Sequence, residues 1–79
     1  MTIDHFSDEP RYLQVAALLR GMIESGAIGP REPLPSIKTI MQRYEVAKGT
    51  AEKAIGVLRA EGLVRTVPGR GVFVIPPKN

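Results

Sequence analysis

The sequence predicts a mainly α domain closed by a small antiparallel β-hairpin, the layout of a three-helix winged helix-turn-helix. Two helical patterns, residues 36–44 and 48–61, are separated by a short break at Glu45-Val46-Ala47. A longer amphipathic stretch beginning at Tyr12 precedes them. After Gly62, two β-prone runs flank Pro68-Gly69-Arg70-Gly71, a hairpin signal that sets one arginine between two glycines.

Each element has its own local grounds. Residues 1–9 are polar and irregular and read as a flexible N-terminal arm. Pro10 suits a helix start, where its missing N–H removes only a donor that would lack a partner anyway. Val15, Ala16, Leu18, Leu19, Met22 and Ile23 then recur at three- and four-residue steps, giving one wide apolar stripe. Gly26 ends that helix, and Gly29-Pro30-Arg31-Glu32-Pro33 is a turn-rich connection. Ser36 is placed to cap the second helix with its hydroxyl, and Ile37, Ile40, Met41 and Tyr44 form its inward face. Val46 plugs the space between the second and third helices. Ala51, Ala54, Ile55 and Leu58 face inward from the third helix, which Gly62 stops. Residues 63–67 and 72–75 supply the two strands. The domain is therefore expected over residues 10–75, with 76–79 as a C-terminal tail.

The chain has 79 residues, enough for one small domain and too few for a second, ligand-sensing one. A hydrophobic content of 43% argues against disorder. Without cysteine, neither a disulfide nor a thiolate metal site is available. No apolar run approaches the roughly 18 residues that span a bilayer, and the first residues lack the order of a signal peptide. A soluble, cytoplasmic protein with no membrane partner is the expectation. The net charge of +3 is unevenly distributed. Residues 1–37 carry Arg11, Arg20 and Arg31 against Asp4, Asp8, Glu9, Glu24 and Glu32. Residues 38–70 carry Lys38, Arg43, Lys48, Lys53, Arg59, Arg65 and Arg70 against Glu45, Glu52 and Glu61. The basic excess coincides with the helix-turn-helix and wing, where a polyanion would dock; a solvated basic face is the plainer alternative.

An enzyme is not expected. The lone histidine, His5, lies in the arm, no carboxylate pair sits at a catalytic spacing, and no glycine-rich phosphate loop follows a strand. Neither a cofactor nor a metal is called for.

Five segments, in order and at the right spacing, resemble one family. They are Tyr12-Leu13-Gln14-Val15, Ile23-Glu24-Ser25-Gly26, Leu34-Pro35-Ser36, Leu58-Arg59-Ala60-Glu61-Gly62-Leu63-Val64 and Gly69-Arg70-Gly71-Val72-Phe73-Val74. Over residues 10–74 the chain is similar to the N-terminal DNA-binding domain of GntR-type bacterial transcription regulators. The resemblance implies a winged helix-turn-helix that binds operator DNA, usually as a dimer on a palindromic site. Members normally carry a larger C-terminal domain for effector binding and dimerisation, which this chain lacks. No small-molecule effector site is therefore expected within it, and a homodimer would form on DNA or through the first helix and tail. Other departures are local. The glycine usual after Pro30 is Arg31, and Ile37 and Thr39 flank Lys38 where acids are common. Ala47-Lys48 replaces the usual Ser-Arg opening of the third helix, removing a capping hydroxyl. An acid, Glu52, stands near a position that is often basic.

These residues give the expected contacts with double-stranded DNA. Lys48, Gly49 and Thr50 open the third helix and would reach the major groove. There a lysine can donate to guanine, a bare glycine lets the backbone approach, and a threonine bonds a phosphate or meets a thymine methyl. Ser36 and Lys38 open the second helix and suit a phosphate at its N-terminus. Lys53 is a phosphate candidate with an ordinary surface role as the alternative, and Arg65, on the first wing strand, is a secondary phosphate candidate. Glu52 either accepts from cytosine or pairs locally with Lys48. Gly69 and Gly71 permit positive φ and a thin hairpin tip, so Arg70 would enter or approach the minor groove. The reading is a sequence-specific DNA-binding transcription regulator, more in the manner of a repressor. The alternatives are an architectural or recombination-accessory DNA binder and a winged-helix protein-interaction module.

Overall fold

Residues 9–76 are described by a computed structural model, so the expectations for the arm (with His5) and for residues 77–79 lie outside the described residues. Three helices, α1 (Arg11–Glu24), α2 (Ile37–Tyr44) and α3 (Lys48–Ala60), precede an antiparallel hairpin of β1 (Val64–Val67) and β2 (Gly71–Val74). No helix among the described residues is long and apolar enough to cross a membrane.

The amphipathic spacing does the assembly. Val15, Ala16 and Leu19 of α1 are fully buried and meet α3, whose Ala51, Ala54, Ile55 and Leu58 are the buried set expected from periodicity. The alanines leave no side-chain bulk at the crossing, so the helices can approach closely. Ile40 and Tyr44 of α2 complete the helical core, and Val46, 7% exposed, fills the corner of the turn as expected. Val64 and Val74, paired across the hairpin, bury its base.

The ends of the elements follow from local chemistry. Gly26 (φ 85) and Gly62 (φ 79) adopt after α1 and α3 the left-handed conformation that L side chains rarely take. Arg20 and Glu61 tie these two helices together. The guanidinium donates from Nε to Oε1 at 2.8 Å and from a terminal nitrogen to Oε2 at 2.6 Å. Those hydrogen bonds hold the Glu61 carboxyl below the usual carboxylate range and raise the Arg20 guanidinium.

Two features differ from the sequence reading. The first strand begins one residue later than expected and the second lies one residue earlier, because Gly71 pairs with Val67 and Val74 ends the ladder against Val64. The connection before α2 is also more than a turn. Its Leu34 amide donates to Val72 at 2.8 Å, Arg31 donates to Val74 at 2.9 Å, and Val74 donates back to Glu32 at 3.0 Å. Residues 31–34 thus cover the free edge of β2, with Pro33 opposite Phe73. Two non-glycine residues have positive φ, Arg31 (66°) and Glu45 (53°). An L-residue there costs about 1–2 kcal/mol relative to ordinary backbone.

Candidate nucleic-acid interface

Ser36 precedes α2 in an extended conformation, and its Oγ accepts from the Thr39 amide at 3.1 Å while donating to Thr39 Oγ1 at 2.9 Å. The hydroxyl is therefore engaged in the cap, so its first role is to fix where α2 starts. Lys38 follows two residues later and is exposed. The corresponding position before α3 is Ala47, with φ −72 and ψ 161 and no side-chain cap. The missing hydroxyl noted in the sequence is thus not replaced by another side chain.

Lys48 and Gly49 are exposed at the start of α3, and Thr50 is half-buried. A β-carbon on Gly49 would meet nothing within 4 Å, so the glycine is not required by packing inside the chain. Neither α2 nor α3 has an acidic residue in its first turn. Lys38 and Lys48 consequently sit at helix ends whose partial charge is already positive, a placement that disfavours the isolated fold.

Lys53 lies further along α3, its ammonium 5.0 Å from the centroid of the Tyr12 ring on α1, a cation–π contact. Glu52 does not pair with Lys48 among the described residues. This corrects the local pair weighed above. With lysine on the N-terminal side the couple has the weaker orientation against the helix dipole, and both groups stay solvated.

The wing tip is a turn closed by the Arg70 amide donating to Val67 at 3.0 Å. Pro68 and Gly69 (φ 76) occupy its central positions, the arrangement of a type II turn, and Gly71 follows at φ 122. Both glycines that were expected to allow positive φ therefore adopt it, and Arg70 stands exposed between them. Arg65 is exposed on β1 with Phe73 opposite.

An open groove of about 560 Å³ joins these elements, running between Ser36 and Ile37 of the α2 start, Glu52 and Arg59 of α3, and Thr66 and Arg70 of the wing. Lys48 lies one turn before Glu52 on the same helical face. The fold therefore brings the α2 start, one face of α3 and the wing tip to a common side; Arg65 lies on the other face of the hairpin, and Lys53 lines a separate shallow depression with Gly49 and Thr50 of the α3 start. Arg59 and Thr66 were missed from the sequence. Arg59 had a readable signal, because it follows the inward Leu58 as Glu52 follows the inward Ala51, which puts both on one flank of α3.

The profile described as bacterial regulatory proteins, gntR family, matches residues 11–74. The chain belongs to the GntR family. It is 35% identical over 78 residues to the HTH-type transcriptional repressor NagR of Bacillus subtilis (strain 168), covering 99% of this chain and 32% of that protein. It is 33% identical over 69 residues to the arabinose metabolism transcriptional repressor of Geobacillus stearothermophilus, covering 87% and 19%. The chain thus spans about a third or less of these curated relatives. Among solved structures, the GntR-family fold seen here matches AraR(DBD) crystallised with operator ORX1, at a TM-score of 0.85 and 33% identity over 94% of each chain. The architecture is that of a winged helix-turn-helix, and the family is one of regulators rather than enzymes.

Proposed function

We propose that this chain reads duplex DNA for a GntR-family transcription regulator, with the α3 N-terminus in the major groove and Arg70 in or near the minor groove. Bound over a promoter or operator, it would repress by occlusion. The observation that carries this reading is the placement of Lys38 and Lys48 at helix N-termini that lack any first-turn acid. Cations there oppose the helix dipole, and a docked polyanion is attracted to both the lysine and the helix N-terminus, which offsets that repulsion. Support also comes from relatives named as repressors and from an operator complex of a similar domain. Lys48, Gly49 and Thr50 carry the base contacts; Ser36, Lys38, Lys53 and Arg65 serve the phosphate backbone. Gly69 and Gly71 hold the wing thin around Arg70. Two copies pair on adjacent half-sites.

Selection of random duplex DNA by the purified chain tests this reading. A recovered motif whose binding weakens in Arg70→Ala supports it, and an inverted repeat adds the dimeric mode. Salt-sensitive binding without a motif would favour an architectural role, and no binding at low salt would favour a protein-interaction module.

A further inference from the structure

The hairpin has a second face. Thr66 and Val72 line the groove described above, so strand alternation turns Arg65 and Phe73 to the opposite side. An open depression of about 410 Å³ lies on that side, bordered by Arg31, Arg65, Val67, Arg70, Phe73 and Pro76. Three guanidiniums and an aromatic ring border it, and no carboxylate does. None of the three arginines has an ion-pair partner among the described residues. The nearest acid in sequence, Glu32, is turned away to accept from the Gly29 amide.

Arg31 is the unusual member. Its backbone is left-handed at φ 66, a conformation that glycine adopts without penalty, and its amide is fixed by the Val74 carbonyl at 2.9 Å. The chain therefore keeps a strained arginine where glycine would relax the loop. Its side chain is exposed beside Arg65 and Arg70, so packing does not account for an arginine at this position.

We propose that Arg31 is a further phosphate-contacting residue, and that with Arg65 it extends the wing's hold on DNA from the tip onto the outer face. The ligand is the phosphodiester backbone flanking the groove entered by Arg70. Planar guanidiniums suit phosphate oxygens, and Arg70 borders both faces, so one strand can pass continuously from the tip to the outer depression. The proposal rests on the reading of this chain as a duplex-DNA binder.

The test compares wild type, Arg31→Gly, Arg31→Asn, Arg31→Lys and Arg70→Ala by thermal unfolding and by salt titration of binding to the duplex recovered by selection. Arg31→Gly should unfold at a higher temperature yet bind more weakly. In Arg31→Asn, a residue that also tolerates the left-handed region, the slope of log affinity against log salt should fall by about 0.9. Arg31→Lys should retain the slope. If Arg70→Ala weakens binding while Arg31→Gly and Arg31→Asn match wild type, the outer-face contact is overturned and the DNA reading stands. If wild type binds no duplex, both fall together.

Discussion

Arg20 and Glu61 show how a single exposed pair is written into the pH response. The two parallel hydrogen bonds to Glu61 favour its ionised form, so its carboxyl titrates lower in the folded chain than in the unfolded one. The folded state then binds fewer protons than the unfolded state as acid is added, so stability decreases as pH is lowered. This contribution is complete above the ordinary glutamate range, near about 4.3, and is lost as pH drops through the depressed folded value. Urea unfolding of wild type and Glu61→Gln across pH should therefore show a stability gap at neutrality that closes in acid. A gap independent of pH would mean that the charge on Glu61 contributes nothing. Ala47 makes a second residue-scale case. Its backbone already has the extended geometry of a cap, so Ala47→Ser should raise stability by about 1 kcal/mol in denaturant unfolding.

At the level of elements, legibility tracked the reach of the interactions involved. The inward residues of α3 were readable because helical periodicity alone selects them, and Val46 was readable because an apolar residue in a polar turn has nowhere else to go. Gly69 and Gly71 announced their positive φ by their type. Arg31 and Glu45 did not, since neither residue type favours the left-handed region, although the departure from glycine at Arg31 marked the place. The pairing of residues 31–34 with β2 was hidden by Pro30, Pro33 and Pro35, which read as loop. The amides of Arg31 and Leu34 and the carbonyl of Glu32 meet that edge, and tertiary closure brings them there. For the proposed interface, charge and glycine patterns in the sequence single out Gly69, Arg70, Gly71 and the α3 start as candidates, whereas Arg59 and Thr66 needed the groove to be seen. Likewise, no spacing rule could have placed Lys53 over Tyr12, far away in sequence and reached only across the packing of α1 on α3.

A domain of this size is small, and its stability is correspondingly limited. At about 0.05–0.15 kcal/mol per residue, a chain of 79 residues has roughly 4–12 kcal/mol in hand. Leu58 is fully buried at the junction of α3 with the rest of the core, and Leu58→Ala should cost about 2–5 kcal/mol. A Tm lower by about 8 °C or more is the expected outcome, since 1 kcal/mol moves Tm by about 4–8 °C in a chain of this size; a shift of a degree or two would mean that the core repacks around the gap. Against so narrow a margin, lysines at two helix N-termini are costly unless a polyanion uses them, and Arg70 of the wing tip is proposed to engage the same polyanion. The most direct check of that claim is the salt dependence of binding to the selected duplex, for wild type and for Lys38→Gln/Lys48→Gln/Arg70→Ala. With the variant folded by thermal unfolding, its slope of log affinity against log salt should be smaller by about 0.9 for each phosphate it no longer neutralises. An unchanged affinity and slope would contradict the claim that these three side chains contribute to the chain's hold on DNA.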